Sequence, residues 1–117
     1  MPIPTLTPEA SELFAALVAL DPRLKPRKMF GNPAAFVNGN LCCGAFGGDI
    51  FLRLGSPDLA AASALRGVRP FEPMAGRPMR GYLVFPTGLL RDPAESRRWL
   101  GRAVAFTQSL PKKGKSA

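Results

Sequence analysis

Asn38-Gly39, set between the apolar runs 34–37 and 41–46, constrains this chain more than any other pair of residues. Both residues accept positive φ at low cost, and a two-residue loop of this kind matches the twist of the strands it joins. A β-hairpin is expected here, and with it an antiparallel sheet. Gly47-Gly48-Asp49 turns the chain again into residues 50–54, while residues 28–30 lead through Gly31-Asn32-Pro33 into the first run. The reading is a three-stranded meander. Pro33 has no ladder donor and marks a bulge or an edge. Alternation along 50–54 sends Ile50, Leu52 and Leu54 to one face, under helices, and Phe51 and Arg53 to the other.

Three segments share a helix-start signal: Thr7-Pro8-Glu9, Ser56-Pro57-Asp58 and Asp92-Pro93-Ala94-Glu95. Each sets an N-cap acceptor before a proline at the first helical position, then a carboxylate against the positive end of the dipole. Asp92 and Glu95 also have capping-box spacing. Apolar stripes follow: Ala10, Leu13, Phe14, Leu17, Val18 and Leu20; Leu59, Ala62 and Leu65; Trp99, Leu100, Ala103, Val104, Phe106 and Leu110. Residues 68–72 and 81–85 read as a second hairpin across 73–78. The order α-β-β-β-α-β-β-α is an α+β fold, helices over an antiparallel sheet, with one crossover through the second helix. Residues 1–110 form one domain and 111–117 a basic disordered tail.

Composition narrows the chemistry. The 117 residues contain no His, which excludes imidazole acid–base catalysis, His-containing triads and His-ligated zinc. The two cysteines, Cys42 and Cys43, are adjacent. In a regular strand they point to opposite faces, so they read as core fillers and not as a metal clamp or disulfide. Without a disulfide framework, a signal-peptide pattern at the N-terminus or a long uncharged apolar run, a cytoplasmic protein with no membrane segment is expected. Sixteen Lys+Arg against eight Asp+Glu leave a formal charge of +8. A balance of this sign is compatible with nucleic acid or an acidic partner.

Lys28-Met29-Phe30-Gly31, Phe36-Val37-Asn38-Gly39, Gly44 with Phe46-Gly47, Leu52-Arg53-Leu54, the run Pro70-Phe71-Glu72-Pro73-Met74-x-Gly76-Arg77-Pro78-Met79, and Tyr82-x-Val84-x-Pro86 together resemble the TfoX N-terminal domain family. The resemblance implies an α-β3-α-β2-α domain similar to the type III secretion chaperones. It also implies a bacterial regulatory protein, since the family's namesake regulates competence for DNA uptake. It transfers no catalytic residue.

Five carboxylates (Glu9, Glu12, Asp58, Asp92, Glu95) serve helix starts, and Asp21 and Asp49 fit turn chemistry. Glu72 has no such local role. With Arg77 five residues on, and Arg53 and Lys28 as candidates for approach in space, it reads as an ion pair fixing the loop or as a pocket for a small anion. Arg97, Arg98 and Arg102 ride outside the last helix and, with Lys112, Lys113 and Lys115, are the candidate nucleic-acid contacts. Arg80-Gly81-Tyr82 echoes an RNA-recognition-motif strand and Gly114-Lys115-Ser116 the end of a phosphate-binding loop, but both lack their required neighbours. Met29, Met74 and Met79 flank the loop and read as core filling, with a partner-binding apolar patch as the alternative. The expectation is a non-enzymatic regulatory or protein-interaction domain without cofactor, acting on a protein partner. A nucleic-acid-associated factor is the alternative, a small anionic-ligand binder the third reading, and a homodimer is compatible with each.

Overall fold

The computed structural model describes residues 4–29 and 31–112; Phe30, Lys113 and Lys115, which carried sequence expectations, lie outside the described residues. Helix α1 (Pro8–Ala19) starts as its signal requires, with the Thr7 hydroxyl accepting from Ala10 N at 3.1 Å. The last helix, α4 (Pro93–Ser109), is capped by Asp92, whose Oδ1 accepts from Ala94 N at 2.9 Å and Glu95 N at 3.4 Å. Glu95 does not complete the capping box. Its carboxylate instead accepts from Trp99 Nε1 at 3.1 Å, one turn along the helix. Helix α2 (Asp58–Ser63) starts without a side-chain cap: the Ser56–Pro57 bond is cis and Pro57 occupies the N-cap position. A further one-turn helix, α3 (Thr87–Leu90), had no sequence signal beyond its lead-in Pro86.

The meander has four strands, not three. Strand β1 (Lys25–Met29), of which the expected lead-in covers only Lys28 and Met29, pairs antiparallel with β2 (Asn32–Val37) from Lys25↔Phe36 to Met29↔Asn32. Lys-Pro-Arg-Lys-Met carries no apolar alternation because the strand is an exposed edge, held by its backbone and not by burial. Asn38 at φ 52° and Gly39 at φ 80° make the expected turn into β3 (Asn40–Phe46), and the Gly47-Gly48 turn leads into β4 (Asp49–Arg53). Strand β5 (Arg69–Pro70) is only a fragment of the expected 68–72, and pairs with β6 (Tyr82–Phe85). The six strands run in the order β1-β2-β3-β4-β6-β5. All five pairings are antiparallel, so β4 and β5, which flank β6 on either side, run parallel to each other, and the connection through α2 is the expected crossover.

Pro33 causes neither a bulge nor an edge. It faces Lys28 of β1, and the register between β2 and β3 begins one residue later, at Ala34↔Gly44, so no β3 pairing rests on the missing N–H. The bulge lies further along, where Ala35↔Cys43 is followed by Phe36↔Leu41 and Cys42 is the extra residue. An inserted residue resets the alternation of β3. Leu41 belongs to one face, but Cys42 and Cys43 both enter the opposite, helix-covered core. The expectation of opposed thiols fails for this reason.

The helices lie over one face. Phe14 and Leu17 of α1, Ala62 of α2, Leu90 of α3, and Trp99, Leu100, Ala103 and Val104 of α4 pack on Val37, Ala45, Ile50, Leu52 and Phe85. Ile50, Leu52 and Leu54 point there and Phe51 to the other side, as alternation requires. The second face is not bare. Residues 71–79 fold back across it as a strap, and Phe71 (2% exposed) stacks on Phe51 with ring centroids 4.1 Å apart and planes at 10°. Phe46 and Tyr82 meet this pair edge-on, and the Tyr82 hydroxyl donates to Leu41 O at 3.2 Å. Burial pushes the Tyr82 phenol above its ordinary pKa.

Candidate functional site

The strap decides where accessible chemistry sits. Phe71 and Met79 anchor its ends, helped by Met79 N donating to Phe71 O at 2.8 Å. Between them Arg77 N donates to Met74 O at 2.9 Å, closing a tight turn in which Gly76 takes φ 77°. A side chain with a Cβ would be strained there. The turn lifts Met74 into solvent, 56% exposed, where core filling had been expected. Behind the strap lies an open cleft of about 590 Å³, walled by Phe46, Pro70, Phe71 and Pro73 and floored by Gly47 and Gly48. Asp49 and Arg69 cross its rim as an ion pair at 3.0 Å.

The proposed cluster of Lys28, Arg53, Glu72 and Arg77 is not assembled. Glu72 lines the cleft but turns its Oε1 to the loop's own Gly76 N, at 3.4 Å. Among the described residues it makes no ion pair with Arg77, and both side chains are exposed. Arg53 stands at the end of β4 with its guanidinium carbon 5.2 Å from the Tyr82 ring centroid and 5.9 Å from that of Phe106. Aromatic faces, not a carboxylate, hold it. Lys28 lies on β1, at the opposite edge of the sheet from β5, which leads into Glu72. Four residues that sequence could only list as candidates for approach are dispersed by strand order.

The candidate nucleic-acid contacts divide as well. Arg98 pairs with Glu95 at 3.6 Å, and Arg102 with Asp58 of α2 at 3.5 Å while lying over the Trp99 ring. Arg97 is exposed on the same helix. Lys112 belongs to the other end of α4, where Asn40 Nδ2 donates to Pro111 O at 3.0 Å and ties the chain to the β2–β3 turn. Pro111, assigned from sequence to a frayed tail, is thus held to the domain. A second cleft, of about 440 Å³, opens there between Pro22, Arg23, Lys25, Val37, Asn38, Gly39, Gln108 and Lys112. Asp21 grips Arg23 through Nε at 3.0 Å and Nη2 at 2.7 Å, and the contact holds the Asp21 carboxyl below its ordinary pKa. Sequence reasoning passed over this end, although Arg23-x-Lys25-x-Arg27-Lys28 is legible as a basic run.

The thiols are enclosed. Cys42 and Cys43 are both 0% exposed. Cys43 is pushed well above the ordinary thiol range by its interaction with Cys42 and by burial, while that same interaction draws Cys42 down. Among the described residues no group of three or more His, Cys, Asp or Glu is placed to hold a metal ion. No described helix is long and apolar enough to cross a membrane.

An antiparallel six-stranded sheet, with helices on one face and a strap on the other, defines an α+β domain. The chain belongs to the TfoX N-terminal domain family, whose model matches residues 12–107. No curated protein and no solved structure matches the chain.

Proposed function

We propose that this domain is a non-enzymatic regulatory module that works by docking an extended segment of another protein in the cleft behind the strap. The observation that carries the reading is the pairing of that aromatic- and proline-walled cleft with a large apolar side chain, Met74, exposed on the strap between two lining residues, Pro73 and Ala75. A protein interface needs apolar groups that bury on contact, within a polar rim. Glu72 supplies an acceptor on the lining that, among the described residues, is bound only to loop backbone, so the segment recognised carries a Lys or Arg beside apolar residues. The non-enzymatic reading is supported by how the carboxylates are occupied. Asp21, Asp49, Asp58 and Glu95 are ion-paired, and Asp92 caps a helix.

Capture from native lysate tests this after nuclease treatment, with wild type, Met74→Glu and Arg97→Gln compared in parallel. A protein recovered by wild type and Arg97→Gln but lost with Met74→Glu is then purified and titrated calorimetrically against each variant. The reading is overturned if no protein is enriched, or if binding is indifferent to Met74→Glu.

A further inference from the structure

The cleft at the β2–β3 turn carries a second inference, independent of the strap. The chain crosses the end of the sheet as Asp21-Pro22-Arg23-Leu24 and continues as the exposed edge strand β1, with Lys25, Arg27 and Lys28 along it. Lys112 arrives beside Arg23 and Lys25 from the far end of the sequence, placed by the Asn40–Pro111 bond. Three cations, Arg23, Lys25 and Lys112, thus line the cleft near one carboxylate, Asp21; Arg27 and Lys28 follow along β1, and the sequence continues with Lys113 and Lys115.

We infer that this cleft and the neighbouring edge strand bind the phosphate backbone of a nucleic acid. The lining favours phosphate over an acidic protein surface. Its apolar members are Pro22 and the buried Val37, and no large apolar side chain is offered as an anchor. Its polar members are the kinds that contact phosphate oxygens: Arg, Lys, Asn and Gln side chains, with the backbone of a left-handed turn beside them. Arg23 is fixed in position by Asp21 and Gln108, contacts that occupy Nε and one N–H on each terminal nitrogen. One N–H on each terminal nitrogen stays available. Along β1, Lys25 and Arg27 share a face about 6.6 Å apart, a line of charge suited to one strand of phosphates. The arginines first suspected, Arg98 and Arg102, are engaged with carboxylates elsewhere.

The test is fluorescence anisotropy of a labelled 20-nucleotide single strand of DNA with the full chain across a salt series. Lys25→Gln/Lys112→Gln is compared with Arg97→Gln/Arg98→Gln at the other end of α4. Wild type is expected to bind saturably, with affinity falling as salt rises. The cleft variant should bind at least about tenfold more weakly at low salt, with a log–log salt slope shallower by about 1.4, two contacts at about 0.7 each. The helix variant should keep wild-type affinity. Thermal melts of both variants accompany the titration, and Lys112→Gln alone serves if the double variant is unfolded. The inference is overturned by absence of saturable binding at low salt or by a cleft variant with unchanged slope. It is equally overturned if poly-glutamate, inorganic phosphate or phosphatidylserine vesicles compete as well, per charge, as unlabelled DNA.

Discussion

Phe71→Ala tests the claim on which the cleft behind the strap depends, that the strap is a packed part of the domain. Phe71 is 2% exposed, stacked on Phe51 at 4.1 Å and edge-on to Phe46 at 5.4 Å. Truncating a buried Phe costs about 3–5 kcal/mol, and the lower end applies if the strap can settle into the space. Unfolding entropy of about 2.1 cal/mol/K per residue gives about 0.25 kcal/mol per degree over 117 residues. The melting temperature should therefore fall by about 12–20 °C in calorimetry or circular dichroism. Phe71→Leu separates burial from ring geometry: it keeps most apolar area and should lose only about 1–2 kcal/mol. A cycle with Phe51→Leu should return a coupling of about 0.5–1.5 kcal/mol. A drop of only a few degrees for Phe71→Ala would show that the strap rests loosely on the sheet, and the cleft behind it would have no fixed wall.

Gly44→Ala should cost about 1–3 kcal/mol in denaturant melts, because its Cβ would stand 2.6 Å from Phe51 Cζ and 3.1 Å from Pro33 O, and Phe71 pins the ring from retreating. A neutral result would mean that the ring turns aside freely. Neither buried thiol should react with Ellman's reagent in the native protein, and both should react in concentrated guanidinium chloride. Fast native labelling would show that the α4–sheet seam opens. Glu72→Ala and Arg77→Ala should each cost under about 1 kcal/mol and add in the double variant, since no ion pair joins them. A coupling above about 0.5 kcal/mol would contradict their separation.

Local chemistry was legible wherever the deciding contacts lie within a few residues. Thr7 and Asp92 cap their helices because the acceptor and the orphan N–H groups are two or three positions apart. Asn38-Gly39 turns the chain because positive φ is a property of those residues. The facing of Ile50, Leu52 and Leu54 follows from a period of two that nothing interrupts. Sequence also sufficed for the α+β class and the family. It failed where a distant partner decides. Strand β1 has no apolar pattern because its stability comes from β2's backbone, and an edge strand that buries little leaves no hydrophobic trace. The bulge at Cys42 depends on how β3 registers against β2, and one inserted residue turns both thiols to the same side. Glu72 and Lys28 are parted by strand order, and Lys112 joins Arg23 and Lys25 through a bond across 71 positions. Caps, turns and periodicity are short-range free energies written in the residues themselves. Register, strand order and the meeting of charges are set by the whole core at once, and only the folded chain determines them.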